Sequence, residues 1–163
     1  MMIGFILFAL VKISHCAEDM TVHCGSAIRL FHEENPKFYL SSGPYRWTTG
    51  SNHQVVTLTQ DFSSPSSLWQ VQSSSHCETG APIHCGDTIQ LMEIETQKNL
   101  HTDSSFKSIL SQRSQEVSAF GDNDSATKSA ENNKDWKVVC TGTSWTVDQR
   151  VQFYHVATET YLM

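Results

Sequence analysis

The sequence predicts an all-β fold that uses one four-strand unit three times. The tripeptide His-Cys-Gly occurs at positions 23–25 and again at 84–86, so that the two cysteines lie 85 − 24 = 61 positions apart. A third, weaker copy begins at Val151, which lies 151 − 89 = 62 positions after Ile89 of the second copy. A fixed period of this length indicates a repeat architecture. The third copy covers only its first two strands.

The strands follow the same order in each unit. Each unit opens with alternating apolar and polar residues, at 27–32, 88–93 and 150–155, which is typical of a half-buried strand. Second strands are predicted at 38–40, 99–101 and 160–162, third strands at 54–58 and 116–120, and fourth strands at 68–71 and 136–139. Short strands in this number need a closed or nearly closed arrangement, because exposed strand edges promote aggregation. The polar segments 61–67 and 121–134 are predicted to be loops.

The amino terminus has the pattern of a secretion signal. Residues 1–11 form an almost unbroken apolar run, too short to span a bilayer as a helix and of the length of a signal-peptide core. Ser14 and Cys16 supply small residues ahead of Ala17, which predicts a signal peptide over 1–16 and one domain over 17–163. A buried N-terminal strand is the alternative. No later segment is long and apolar enough for a membrane anchor, so no membrane span is predicted.

The charge of the chain excludes two classes of partner. The formal net charge is −6 at pH 7, with 11 lysines and arginines against 17 aspartates and glutamates. An acidic surface repels nucleic-acid phosphates and anionic lipid headgroups. We therefore expect no nucleic-acid partner and no membrane-surface partner.

The cysteines predict two disulfides. Removal of the leader leaves Cys24, Cys77, Cys85 and Cys140, and an even number in a secreted chain suggests a disulfide framework. The repeat favours Cys24–Cys77 and Cys85–Cys140, because each pair would then join the start of one unit to its own end. Zinc binding is the alternative, since a histidine directly precedes three of the four cysteines. Adjacent residues of a strand point to opposite faces, so disulfides are favoured and no metal site is predicted.

Four tryptophans divide into two kinds. Trp69 and Trp136 recur at equivalent places in the fourth strands and are predicted to lie in the core. Trp47 and Trp145 fall outside the repeat pattern. Trp47 follows Tyr45 and Arg46 in a turn-rich segment, and an aromatic beside an arginine suits a protein or sugar contact. These three residues form the candidate partner or glycan surface, although packing of the loop tryptophan onto the barrel is the favoured interpretation of Trp47 itself.

No catalytic constellation is evident. The chain lacks the nucleophile, zinc-protease and phosphate-loop motifs, and all four remaining cysteines have a structural use. We therefore predict a protein that is not an enzyme and needs no cofactor. Asn123 stands in an Asn-Asp-Ser acceptor for N-glycosylation within the second predicted loop.

Several motifs resemble a known family. The Cys-Gly openings, Leu-His-Thr at 100–102, Gln-Glu-Val-Ser-Ala-Phe-Gly at 115–121 and Asp-Trp at 135–136 resemble MIR repeats, and most of all those of the stromal cell-derived factor 2 family. The resemblance implies a β-trefoil built from three MIR repeats at about 22–77, 83–140 and 145–163, the third truncated. The family usually has Leu-His-Ser-His where this chain has Leu-Ser-Ser at 40–42, so histidines are not expected to act there.

The resemblance also implies a function. Its members are non-enzymatic proteins of the endoplasmic reticulum lumen, which bind a J-domain co-chaperone, and through it the Hsp70 chaperone, during folding and quality control of secretory glycoproteins. The alternatives are a secreted, carbohydrate-binding trefoil and an accessory module related to protein O-mannosylation, with glycans or O-mannosylated clients as ligands. Residues 161–163 form no retention signal, so we expect the endoplasmic reticulum lumen or secretion.

Overall fold

The computed structural model describes residues 20–73, 77–111, 113–121 and 131–163. The predicted signal peptide over 1–16 and the glycosylation acceptor Asn123 lie outside these ranges. Within them the chain forms strands and two short 3-10 turns, Pro65–Ser67 and Glu131–Lys134, and no α-helix. The strands are β1 (Ala27–Ile28), β2 (Phe31–His32), β3 (Asn35–Arg46), β4 (Gln54–Thr59), β5 (Trp69–Ser73), β6 (Thr88–Glu93), β7 (Lys98–Lys107), β8 (Gln115–Phe120), β9 (Trp136–Val139), β10 (Gln152–His155) and β11 (Thr160–Tyr161). The all-β prediction is confirmed.

The strands form a barrel wall and a set of hairpins. The wall runs antiparallel from β1 through β5, β6 and β9 to β10 and uses the first and fourth strands of the units. The second and third strands pair as the hairpins β3–β4 and β7–β8, and β4 pairs with β8 across the two units. The third unit contributes β10 and β11, which pair with each other. This is the β-trefoil arrangement, with one unit per repeat.

A closed triangle of backbone hydrogen bonds marks the pseudo-threefold axis. The amide of Val22 donates to the carbonyl of Trp145 (2.8 Å), that of Trp145 to Ile83 (2.9 Å), and that of Ile83 back to Val22 (2.9 Å). All three side chains are buried. The prediction that Trp145 falls outside the repeat is therefore wrong: it occupies the third equivalent of Val22 and Ile83, and the difference in side-chain size hides the match in the sequence.

One tight turn follows each corner of the triangle. Each of the three turns has one residue with positive φ, and these residues are Gly25 (89°), Gly86 (101°) and Asp148 (61°). In the second unit the carboxylate of Asp87 accepts the amide of His84 at 2.7 Å, and a side-chain oxygen makes the same bond in the other two units. This recurrence shows that all three units enter the barrel with one backbone geometry.

Gly86 provides a direct test of that geometry. A Cβ added there would meet no atom within 4 Å, so the only penalty of a side chain is its left-handed backbone angle. We expect Gly86→Ala to lower the free energy of unfolding by about 1–2 kcal/mol, measured by urea denaturation. Gly43→Ala, at a glycine without positive φ and with ordinary contacts to Tyr45, is the control and should change stability by less than about 0.5 kcal/mol. Equal effects would contradict this interpretation.

The two repeated tryptophans anchor the core, as predicted. Trp69 and Trp136 are almost completely buried, and the indole N–H of each donates at 3.0 Å to a second-strand carbonyl, Leu40 or Leu100. Each tryptophan thus ties the barrel wall to the hairpin of its own unit. The rest of the apolar core comprises Val22, Cys24, Val56, Val71, Ile83, Ile89, Leu91, Leu100, Ala119, Val138, Trp145 and Phe153.

Disulfides close the two complete units. Cys24 is bonded to Cys77, and Cys85 to Cys140, across separations of 53 and 55 residues. In the third unit Val147 stands where Cys24 and Cys85 stand in the others, because its amide makes the equivalent hydrogen bond, to Met20. The first two units therefore have a disulfide at equivalent positions, and the third unit has a valine at the position of the first cysteine.

Buried hydroxyl groups explain where the predicted strand limits fail. The second strands are longer than expected, since Ser41 and Ser42 continue β3 while buried. Ser42 donates to the carbonyl of Val55 at 2.9 Å, and the Ser41 and Ser66 hydroxyls lie 2.7 Å apart. Likewise, the predicted loop at 61–67 ends in a 3-10 turn whose Ser67 is fully buried. A polar residue that forms a hydrogen bond inside the protein can be buried in the core, although its residue type alone suggests an exposed loop.

Candidate functional site

The predicted partner surface lies at the end of the barrel formed by the two hairpins β3–β4 and β7–β8, here called the hairpin end. Tyr45 is 76% exposed and Arg46 is also at the surface, donating to the carbonyl of Asn52 at 3.2 Å. Trp47 is only half-buried and turns inward, where its indole N–H donates to the carbonyl of Val117 at 3.3 Å. The structure therefore separates the three residues: Tyr45 and Arg46 face solvent, and Trp47 packs on the second unit.

The loop between β3 and β4 is held firmly against β8. Ser51 donates its hydroxyl hydrogen to the buried carboxylate of Glu116 and accepts the amide of His53 at 3.0 Å. A Cβ at Gly50, which has φ of 75°, would overlap a carboxylate oxygen of Glu116. The loop thus closes over a carboxylate that it shields from solvent.

The second hairpin repeats the arrangement of the first. Arg46 pairs with Gln54 across β3–β4, and Lys107 pairs with Gln115 across β7–β8. The preceding aromatics, Tyr45 and Phe106, are 106 − 45 = 61 positions apart. Each hairpin therefore carries an aromatic residue followed by a cation. The second pair was not predicted, although the repeat period would have indicated it.

A cavity of about 360 Å³ opens at the hairpin end. We call it the hairpin cavity. Its apolar lining includes Trp47, Val56, Val117, Trp136 and Leu162, with Ile109, Leu110, Tyr161 and Met163 towards the chain surface. Its polar lining includes Thr102, Lys107, Arg113, Gln115 and Glu116. The volume falls in the range of natural ligand pockets.

A buried histidine pair stands on the seam between the first and second units. The hydroxyl of Ser118 lies 3.2 Å from Nδ1 of His101 and 3.4 Å from Nδ1 of His53. The two imidazole rings are in edge contact at 5.1 Å, and both pack on Phe120. Since one hydroxyl can donate to one ring and accept from the other, the bridge suits two neutral histidines.

Burial keeps the imidazole of His101 neutral at physiological pH. Desolvation lowers the pKa of His101 to about 4, repulsion from His53 adds to the effect, and the carboxylate of Asp103 opposes it. Desolvation also lowers the pKa of His155, a third-unit residue that packs on Trp136 of the second unit and is hydrogen-bonded to Thr158. His101 and His155 are therefore packed in the interior and are not placed as exposed acids or bases.

Two residues of the second predicted loop prove to be buried. Asn133 donates its side-chain amide to Asp103 at 2.8 Å, and the ammonium of Lys134 lies over the ring of Phe120 at 6.0 Å. Backbone and side-chain bonds from Ser105 and Asn133 lower the pKa of Asp103. No sequence pattern indicated this cluster, because its members come from separate parts of the chain.

Two classes of site are not found among the described residues. No group of three His, Cys, Asp or Glu side chains in these ranges is arranged to hold a metal ion. No helix in the described part of the chain has the length and hydropathy needed to cross a membrane.

Fold and surface together define a disulfide-closed β-trefoil that presents a paired-hairpin surface at one end. The chain belongs to the MIR domain family, whose profile matches residues 21–163. It is 37% identical over 143 residues to human stromal cell-derived factor 2, and the aligned region covers 86% of this chain and 64% of the relative. The chain thus spans less than two thirds of the length of this curated relative.

Solved structures support the same fold. The crystal structure of the SDF2-like protein from Arabidopsis thaliana superimposes with a TM-score of 0.76 at 31% identity, covering 86% of this chain and 76% of the plant chain. The Saccharomyces cerevisiae protein O-mannosyltransferase Pmt1-Pmt2 complex bound to the sugar donor contains a chain that matches with a TM-score of 0.73 at 22% identity. That match covers 92% of this chain and 22% of the larger one, and it supports the fold alone.

Proposed function

We propose that this chain is a non-enzymatic interaction module of the endoplasmic reticulum lumen. In this role it binds a luminal J-domain co-chaperone, and through it the Hsp70 chaperone, during folding and quality control of secretory glycoproteins. The observation that carries the proposal is the similarity to stromal cell-derived factor 2, which extends over 86% of the chain. Two disulfides fit an oxidising compartment of this kind.

The chemistry of the described side chains favours binding over catalysis. The four described cysteines are all in disulfides, so none of them offers the thiolate that nucleophilic catalysis needs. The histidines with lowered pKa are enclosed by Phe120 and Trp136. A rigid, crosslinked barrel with an exposed aromatic-cation pair is instead suited to docking another protein.

Co-precipitation tests the proposal and the predicted surface together. We expect the tagged chain to recover a luminal J-domain protein from microsomes, and Tyr45→Ala with Arg46→Glu to reduce recovery at least tenfold, because both side chains face solvent. Phe31→Ala with Lys37→Glu is the matched control and should retain recovery, because both side chains are exposed where β2 pairs with the start of β3. Absence of any J-domain protein from the wild-type precipitate would refute the proposal.

A secreted, carbohydrate-binding trefoil is the second candidate, and the exposure of Tyr45 beside Arg46 favours it. Binding on a glycan array that Tyr45→Ala abolishes would support this function. Trp47→Ala is the less clean variant, because Trp47 is hydrogen-bonded to Val117 and its loss also removes packing. An accessory role in O-mannosylation rests on the shared fold and would require binding to O-mannosylated peptide on the same array.

A further inference from the structure

We propose that the seam between the first two units is an acid-sensitive latch, in which a proton taken up at His101 releases the β3–β4 loop from β8. The loop comprises residues 47–53 and directly follows Tyr45 and Arg46. Its release would displace the pair assigned above to partner docking, and that consequence rests on the proposed function. The latch depends on how the loop is attached, on what encloses His101 and on how burial affects protonation of the ring.

The β3–β4 loop is attached to β8 by a few specific contacts. The Ser51 hydroxyl donates to the Glu116 carboxylate, and the Trp47 indole donates to the carbonyl of Val117 at 3.3 Å. Directly after the loop, β4 pairs with β8 at Gln54–Ala119 and Val55–Ser118. These contacts join the first unit to the second, and they are separate from the pairing of the barrel wall. The loop can therefore leave β8 while the wall stays paired.

His53 ends the loop and carries it into the interior of the second unit. Its Nδ1 lies 3.4 Å from the Ser118 hydroxyl, and the same hydroxyl lies 3.2 Å from Nδ1 of His101. The centroids of the two rings are 5.1 Å apart, and both residues are buried. At the base of the loop, the Trp47 amide donates to the His53 carbonyl at 2.9 Å. Because His53 forms one wall of the pocket around His101, displacing the loop exposes the His101 ring to water.

Charged and titratable groups from each neighbouring element face His101. They are His53 of the β3–β4 loop, Asp103 of β7, Lys134 of the 3-10 turn before β9, and His155 of β10. Asp103 favours the charged imidazole, and the two histidines and the lysine disfavour it. On β8 the ring contacts Ser118 and Phe120. The carboxylate of that strand, Glu116, is directed to the hydroxyl of the loop.

Acid favours the open loop because an imidazole takes up a proton more readily in water than in this pocket. Desolvation, with repulsion from His53, lowers the pKa of the enclosed His101 to about 4, whereas a solvated imidazole titrates near 6.5. Since the pKa in the closed state is the lower one, opening is unaffected well above pH 6.5 and becomes more favourable as the pH falls towards 4. Between pH 7.5 and pH 5.5 the population of the open loop should rise about tenfold.

Amide hydrogen exchange on the full chain tests the latch at pH 7.5 and pH 5.5, with each rate divided by the intrinsic rate at that pH. We expect protection of the Trp47 amide to fall about tenfold at the lower pH. At both pH values this amide should exchange faster than those of Val71 and Val138, which donate to backbone carbonyls in the barrel wall. Its rate should also be independent of low concentrations of urea, because local opening exposes little surface whereas global unfolding exposes much.

Three variants identify the group that takes up the proton. In His101→Asn, protection of Trp47 should change less than about twofold between the two pH values. His84→Asn, at an exposed imidazole beside Asp87, should retain the tenfold fall. Glu116→Gln should retain it too, because the imidazole is unchanged, although this variant loosens the loop at both pH values.

Several results would overturn the proposal. Protection of Trp47 that is equal at both pH values, or that still falls tenfold in His101→Asn, would show that this imidazole does not control the loop. Exchange of Trp47 that matches Val71 in rate and urea dependence would mean that the loop opens only on global unfolding. A fall confined to the Val156 amide, which donates to the Asp135 carbonyl at 3.0 Å, would place the opening at the 3-10 turn instead. The wild-type comparison requires neither a variant nor a partner, so recovery of the J-domain protein decides the proposed function separately.

Discussion

Replacing Cys85 and Cys140 by alanine will lower the free energy of unfolding by about 4 kcal/mol. The disulfide closes a loop across a separation of 55 residues, and its loss returns that loop's conformational entropy to the unfolded chain. Typical domains have about 5–15 kcal/mol of stability in total. The change should therefore leave the chain folded at 25 °C but close to its threshold, as measured by urea denaturation.

The first disulfide provides the matched comparison. Cys24→Ala with Cys77→Ala opens a loop of almost the same length, with a separation of 53 residues, so its cost should agree within about 1 kcal/mol. Replacing all four disulfide-bonded cysteines together should leave little or no folded protein. A cost below about 1 kcal/mol for either pair would show that the unfolded chain is not constrained in the way we assume.

Acid will destabilise the protein through His101, with an effect of about 3 kcal/mol. The pKa of the folded imidazole is lowered to about 4 because the ring is desolvated beside His53, whereas an unfolded histidine titrates near 6.5. The folded state thus binds fewer protons than the unfolded state between these values. The full contribution is present above pH 6.5 and is lost as pH falls towards 4. His155, whose pKa is also lowered by burial, acts in the same direction.

The variant that tests this prediction is His101→Asn, which retains a polar group near Ser118 but cannot titrate. Between pH 7 and pH 4 the wild type should lose more free energy of unfolding than this variant. The difference between the two losses should be about 3 kcal/mol. His84→Asn is the control, because that imidazole is exposed beside Asp87, and the variant should keep most of the wild-type pH dependence. Identical slopes in wild type and His101→Asn would contradict the assignment.

Local sequence information reached far into this fold. The strands were predictable because alternation along a strand is set by which of its faces is buried, and Thr88–Glu93 shows it in both sequence and structure. The cysteine pairs could be predicted because the repeat identified the start and end of each unit. Both predicted pairs are present as disulfides. The predicted ends of strands and loops were wrong where polar side chains are buried, as at Ser42 and Ser67, since their hydrogen-bond partners lie elsewhere in the chain.

The candidate surface was predictable only in part. The turn-rich segment around Tyr45 and Arg46 indicated an exposed contact, and these two side chains are exposed. Trp47 was not resolved between surface and barrel, because the acceptor for its indole, Val117, is 70 residues away in the chain. The second aromatic–cation pair could have been found from the repeat period, since Lys107 lies 107 − 46 = 61 positions after Arg46.

The sequence by itself determined the repeat period, the order of the strands and the cysteine pairs, because these depend on spacings within one unit. Only the tertiary structure decided which residues meet between units. It placed Trp145 on the axis with Val22 and Ile83, and it joined His53 to His101 through Ser118. Such contacts arise when three similar units pack around one axis, and no pattern within a single unit records them.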